Sequence, residues 1–297
     1  MDSTDEETMD FDDDSDLALL LSPETEAGGC RLLPPMAFDA VDIFDGPVSR
    51  DEFERFYRHK RPVLLRGAAQ SWPALSLWRD GATLGSALGA TEDADLVTSL
   101  HSNDGRRFLG IDCTKSRKLL DAVVRELGEP SASRFYARAP LRGSLRSAVD
   151  LSALRALMGG ASPTAANCSV WLGPAGNITP FHYDLCHGFL VGVIGRKTFT
   201  LVSPDEWRCM HSGHRERPEL SRVDYEAWRA GDADERRRHP RFDQATRLVV
   251  EVCEGDVLYT PPFWWHHVET SAEGPAVSAL IPFDPEAHEP THVCHLR

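Results

Sequence analysis

Apolar positions fall into two textures along this chain. Up to about residue 130 they recur at helical spacing or in short buried runs. Phe53, Phe56 and Tyr57 follow Ser49, which with Glu52 three residues later forms a capping box, and this predicts an amphipathic helix over 50–60. Pro62-Val-Leu-Leu-Arg66-Gly reads as a buried strand ending in a turn, and Trp72-Pro-Ala through Trp78 as a loop and short helix. Asn103-Asp-Gly105 is a hairpin signal between strands at 96–100 and 107–111. Leu119, Leu120, Val123, Val124 and Leu127 mark a second helix, stopped by Gly128 and Pro130.

From about residue 134 the pattern changes to short strands separated by turns. They are expected at 134–137, 168–172, 182–184, 188–194, 198–202, 248–253, 257–259, 266–270 and 276–282. Many short strands with glycine punctuation indicate a mainly β fold, a sandwich or a closed barrel. A long polar stretch rich in Arg and acids lies at 203–245, with a helix expected at 225–230. The chain carries no internal repeat.

Composition changes this picture at the N-terminus. Residues 1–26 hold 11 of the 46 acids and no Lys or Arg. The net charge of −14 therefore shrinks to −3 for the remainder, 35 acids against 32 bases. Residues 1–36 are expected to be a disordered acidic tail, and the stretch from Asp10 to Leu21, mixing acids with Leu, is a candidate partner-docking segment. The nearly neutral body does not indicate nucleic acid, despite the local run Arg236 to Arg238. Seven cysteines at irregular spacing, with no CxxC pair, argue against a disulfide framework or a cysteine zinc site. No secretory or mitochondrial signal is legible and no membrane span is expected, so the expected location is nucleus and/or cytoplasm.

Candidate chemistry sits in two distant segments, Thr179-Pro-Phe-His182-Tyr-Asp184-Leu and Trp264-Trp-His266-His-Val. Two imidazoles and one carboxylate can take one face of an octahedral iron(II), leaving positions open for small ligands. On a strand, His182 and Asp184 would point to the same face. The pair alone is weak evidence, because 12 His in a chain this rich in Asp give roughly one His-x-Asp by chance. Lys197 shares parity with Phe199 and Leu201, which places it on an inward row after the Gly195 turn, where its ammonium can pair with a distal carboxylate. Trp264 and Trp265 read equally as core. His266 and His267 face opposite ways on a regular strand, so only one of them can ligate.

Five stretches in order resemble the Jumonji-C, or cupin-like, family of iron(II)- and 2-oxoglutarate-dependent oxygenases, nearest its small protein-hydroxylase branch. They are Pro62-Val-Leu-Leu-Arg-Gly with Trp72-Pro, Trp171-Leu-Gly through Asn177-Ile-Thr-Pro-Phe-His-Tyr-Asp, Gly195-Arg-Lys-Thr-Phe-Thr-Leu-Val-Ser-Pro, Ser221-Arg-Val-Asp, and Gly255-Asp-Val-Leu-Tyr-Thr-Pro-Pro-Phe-Trp-Trp-His-His-Val-Glu. The resemblance implies a double-stranded β-helix (a jelly-roll or cupin barrel) with flanking α-helices. It implies metal ligation by His182, Asp184 and His266, 2-oxoglutarate contacts from Lys197, Thr179 and Tyr136, and dioxygen as the oxidant. The expected organisation is a tail at 1–36, an α/β region at 37–130 packing on the barrel, the Jumonji-C domain at 131–286 with the 203–245 insert, and a short tail at 287–297.

The reaction implied is hydroxylation of a protein or peptide side chain with succinate and carbon dioxide as co-products. Alternatives are N-methyl-lysine demethylation, tRNA-base hydroxylation, a catalytically weak binding protein, and a cupin using zinc or manganese. Two departures bear on activity: Gly188 stands where the branch commonly has Asn, and Ala279-Leu280-Ile281-Pro-Phe replaces a Val-Asn-Phe-Trp stretch. Water, His187 or Cys186 are the candidate replacements for the lost polar contacts. The chain ends 31 residues after His266, so the C-terminal helical dimer of some relatives is not expected, and the oligomeric state stays open. His288, His292, Cys294 and His295 read as a solvated terminus.

Overall fold

Ser49 caps the first helix, α1 (Arg50–Phe56), its side-chain oxygen accepting from Glu52 N at 3.2 Å. The helix stops before residue 60 because His59 adopts a left-handed φ of 61° and its N–H turns to the Tyr259 hydroxyl, 3.1 Å away. The computed structural model describes residues 39–88, 96–102, 107, 108, 113–127, 129, 135–159, 163, 168–214 and 217–283. The acidic N-terminal tail with its docking stretch, the Asn103-Asp-Gly105 turn and the C-terminal His/Cys cluster lie outside them.

The strands are β1 (Asp42–Asp45), β2 (Val63–Arg66), β3 (Leu96–Ser102), β4 (Cys113–Leu119), β5 (Phe135–Pro140), β6 (Ser169–Gly173), β7 (Ile178–His182), β8 (His187–Ile194), β9 (Lys197–Val202), β10 (Ser212–His214), β11 (Arg217–Ser221), β12 (Leu248–Val252), β13 (Val257–Thr260), β14 (Trp265–Thr270) and β15 (Ala276–Phe283). They form a nine-stranded sheet, β1-β2-β13-β8-β15-β6-β5-β3-β4, and a six-stranded sheet, β10-β11-β7-β14-β9-β12. Leu64 and Leu258 of the larger sheet pack with Phe199, Leu201, Val250 and Val268 of the smaller one, so the inner faces of the two sheets enclose a shared core.

Both outer faces are covered as well. Helices α1, α2 (Leu120–Leu127) and α3 (Ser152–Met158) send Phe53, Val123, Leu154 and Leu157 against Phe189, Val191, Val277 and Ile281 on the outer side of the larger sheet. Burying a side chain such as Phe53 contributes about 1.5–3 kcal/mol. On the smaller sheet, the 203–245 stretch folds over Phe181, Tyr183, Val202 and Trp265 with Met210, Tyr225 and Phe242. The stretch is built into the fold. It donates β11 to the sheet, with Leu220 paired to His182, and contains the helices α4 (Tyr225–Arg229) and α5 (Ala233–Arg238).

Two local expectations are corrected. The partner of β3, expected at 107–111, is β4, starting at Cys113. Arg107 instead bridges Ile178, and Phe108 N donates to Ile178 O at 3.0 Å, because the buried Phe108 ring is drawn over the cavity between the sheets. Leu119 closes β4 and is half exposed, so α2 begins one residue later. The turn after β8 holds Gly195 at φ 69°; a Cβ there would collide with the Pro275 carbonyl, so only glycine brings β9 back beside β14.

Candidate metal centre

His182 ends β7, and Asp184 lies two residues beyond it, outside the strand. The expected strand at 182–184 is therefore displaced to Ile178–His182. Asp184 is nevertheless fixed by its backbone, whose carbonyl accepts from Phe263 N at 2.8 Å, while Tyr183 N donates to Glu219 O at 3.1 Å. Phe263, at φ 65°, bends the chain into β14, where His266 stands directly opposite His182. Ligand atoms of His182, Asp184 and His266 all lie within 4.8 Å of one another, and His266 Nε2 is 3.9 Å from Asp184 Oδ2.

Each imidazole is oriented by its own strand. His182 Nδ1 donates to Pro180 O at 2.9 Å and His266 Nδ1 to Trp264 O at 3.0 Å. A carbonyl can only accept, so each Nδ1 carries the proton and each Nε2 lone pair is left for a cation. Burial, and then the neighbouring His266, push the His182 pKa down to about 4, which keeps that ring neutral as ligation requires. The donor set thus fits a divalent metal with open coordination positions. His267 faces the other way, its Nε2 2.5 Å from Glu226 Oε1. Glu226, His267 and Glu269 also cluster, but Arg107 pairs with Glu226 and Arg229 grips both oxygens of Glu269, so those carboxylates already have cations. Trp264 and Trp265 are both core, one on each side of the sheet.

The triad opens into a cavity of about 340 Å³. Lys197 lies deep in it, 3% exposed, with Nζ donating to Tyr136 Oη at 3.0 Å and to Ser278 Oγ at 2.7 Å. Among the described residues no carboxylate pairs with it, and burial pushes its pKa down to about 7. Burial also pushes the Tyr136 phenol up, and the Thr179 hydroxyl that faces it in the cavity works against that rise. Thr179 and His182 are an odd number of residues apart, yet both face the cavity. The β7–β14 register pairs His182 with His266 but Thr179 with Val268, a bulge that takes up the extra residue at Pro180-Phe181.

All six residues singled out from the sequence (Tyr136, Thr179, His182, Asp184, Lys197 and His266) line this one cavity. Gly188, Leu190, Phe199, Val268 and Leu280 give it an apolar wall, and Cys186 borders it. His187 does not replace a lost polar contact. It points away, bonded to the Tyr259 hydroxyl at 2.7 Å and stacked on Phe283. Sequence reasoning missed Ser278, Phe108, Arg217 and Glu219. Of these, Ser278 had a signal, since it shares the parity of Leu280 on β15.

Comparison with known proteins bears on the family and the fold. A family model described as a cupin-like domain matches residues 49–287. Jumonji C domain-containing protein 5 of Drosophila melanogaster is 27% identical over 252 residues, covering 80% of this chain and 59% of the relative. The human bifunctional peptidase and (3S)-lysyl hydroxylase JMJD7 is 27% identical over 280 residues, covering 84% of this chain and 85% of the relative. The X-ray structure of E. coli ycfD superposes with a TM-score of 0.51 at 17% identity, over 80% of this chain and 53% of that one, and shares the fold. The chain spans less than two thirds of the Drosophila relative's length.

Proposed function

The chain belongs to the cupin-like domain family, and from that premise we propose that it is an iron(II)- and 2-oxoglutarate-dependent oxygenase that hydroxylates a protein side chain. One observation carries the reading: a two-histidine, one-carboxylate cluster and a buried ammonium with no carboxylate partner among the described residues occupy the same cavity. A cation alone would be served by the triad. The ammonium calls for an anion as well, and a diacid that also chelates the metal answers both demands.

Iron(II) with 2-oxoglutarate and dioxygen supplies the oxidising chemistry: the oxo acid leaves as succinate and carbon dioxide, one oxygen atom entering the new carboxylate and the other a substrate C–H. The residues of the chain position and exclude. His182 and His266 present their Nε2 lone pairs because their Nδ1 protons are committed to backbone carbonyls. Asp184 supplies the third ligand from the mouth, where its side chain is 51% exposed. Lys197, with Tyr136 and Thr179, holds the distal carboxylate by charge and hydrogen bonds. Leu190, Phe199 and Leu280 keep water from the reacting C–H and suit an aliphatic side chain.

A protein substrate is supported by the mouth and by one relative. Leu185, beside Asp184, is 65% exposed, and Arg217 and Glu219 border the opening, a mixed apolar and charged rim suited to a polypeptide. The human relative is named a lysyl hydroxylase, and the same class of target is the reading adopted here. The test is conversion of 2-oxoglutarate to succinate by wild type and by His182→Ala. Turnover lost in the variant is the expected result; absent or triad-independent turnover overturns the reading. Protein trapped with an inert divalent metal, then supplied with iron and 2-oxoglutarate, should leave its captured polypeptide heavier by about 16 mass units; a loss of about 14 would indicate demethylation instead.

A further inference from the structure

Lys197 has three N–H bonds, and the structure accounts for two of them, to Tyr136 and to Ser278. The hydroxyls of Tyr136, Ser278 and Thr179 each carry one more proton. Thr179 faces the Tyr136 hydroxyl in the same cavity, and two hydroxyls can spend at most one proton on each other, so the pair keeps at least one to give. Among the described residues three donors therefore have no acceptor: one from Lys197, one from Ser278 directly beside it and one from the Tyr136–Thr179 pair. All are buried or nearly so, Ser278 only 1% exposed. A carboxylate, with two oxygens and about four acceptor directions, satisfies all three.

We infer that Ser278 is a further binding residue for the distal carboxylate of the diacid, donating its hydroxyl proton to that group while its oxygen holds Lys197 in place. The inference rests on the oxygenase reading above. It also gives the anchor a symmetry that Lys197, Thr179 and Tyr136 alone do not have. Lys197 on β9 and Thr179 on β7 come from the six-stranded sheet, while Tyr136 on β5 and Ser278 on β15 come from the nine-stranded sheet. The carboxylate is thus gripped by two groups from each side of the barrel. A single hydroxyl in the otherwise apolar run Ala276-Val-Ser-Ala-Leu-Ile is accounted for by this contact.

The test uses the full chain loaded with manganese(II) under anaerobic conditions, titrated calorimetrically with 2-oxoglutarate and with 2-oxopentanoate, which has the same 2-oxo acid head but no distal carboxylate. Wild type is expected to prefer 2-oxoglutarate. In Ser278→Ala that preference should fall about tenfold or more, the loss of one hydrogen bond to a charged group, with 2-oxopentanoate affinity unchanged. The KM for 2-oxoglutarate should rise in step while kcat at saturation holds. A general packing defect would weaken both ligands alike, and that outcome, or a preference left intact, overturns the inference alone. Wild type that does not distinguish the two acids overturns the oxygenase reading as well.

Discussion

His266 lies directly opposite His182 in the β7–β14 pairing, the two ring centroids 4.1 Å apart. Two imidazoles, one buried and one half-buried, and a carboxylate held this close are poorly satisfied without a cation, so metal binding should stabilise the fold by mass action. Chelator treatment is expected to lower Tm, and adding a divalent ion to restore it. His266→Ala should abolish that metal-dependent increment. His267→Ala, which breaks the pair with Glu226 on the other face, should lower Tm in both states yet keep the increment. A metal response lost equally in both variants would contradict the assignment of His266 as the ligand.

Lys197 sets a pH dependence of definite sign. Its folded pKa, pushed down to about 7 by burial, lies below the ordinary value of 10.5. Between these two values the unfolded chain binds more protons than the folded one, so stability of the metal-free protein rises as pH rises through this window. Lys197→Met removes the buried charge and should be more stable than wild type at pH 6, with the gap closing towards pH 10. Diacid binding runs the other way. It needs the ammonium, so affinity for 2-oxoglutarate should fall about tenfold per pH unit above about 7, while affinity for 2-oxopentanoate stays flat. Thermal melts and calorimetry across pH check both; a flat 2-oxoglutarate profile would show that Lys197 is not its partner.

The barrel strands were legible because each is a short apolar run between turn residues, and the triad because its residues recur in a five-motif order. Asp184 fell outside its expected strand because the fixing interaction, Phe263 N to its carbonyl, comes from a segment about 80 residues away that no local pattern records. The role of 203–245 was hidden for a related reason. Its acids and arginines look like a solvated surface, yet Glu235 is fully buried and Arg107 reaches in from before β4 to meet Asp224 and Glu226. Polarity in sequence does not distinguish a charge in water from a charge with a partner. Ser278 had only its parity with Leu280 to mark it, and the contact that gives it a role, with Lys197, comes from a strand about 80 residues away.

Glu235 should therefore matter more than its place on a short polar helix suggests. Its Oε1 accepts from Asp224 N at 2.8 Å and from His239 Nδ1 at 2.7 Å, and Arg238 lies 3.0 Å from Oε2. Asp224 in turn caps α4 and pairs with Arg107, which carries Phe108 over the cavity. Glu235→Ala is expected to cost about 3–5 kcal/mol in urea unfolding, the range for breaking a buried charged network. Loss below 1 kcal/mol would mean the stretch is dispensable decoration.

Gly188 offers the sharpest test of the cavity's apolar wall. A Cβ built there meets only Leu280 Cδ1, at 3.7 Å, and the glycine does not adopt a positive φ, so neither space nor backbone requires glycine. Gly188→Ala should raise stability by about 0.5–1 kcal/mol, through the lower entropy of the unfolded chain, and leave 2-oxoglutarate affinity unchanged. Gly188→Asn should fold as well as wild type and place an amide in a wall otherwise made of Leu190 and Leu280. That amide can donate to a polar ligand at the metal, so affinity for 2-oxo acids should rise, for 2-oxopentanoate as much as for 2-oxoglutarate, because the gain lies at the 2-oxo end and not at Lys197. A gain confined to 2-oxoglutarate would place Gly188 at the wrong end of the ligand. A large drop in Tm would show that the apolar wall is a packing requirement.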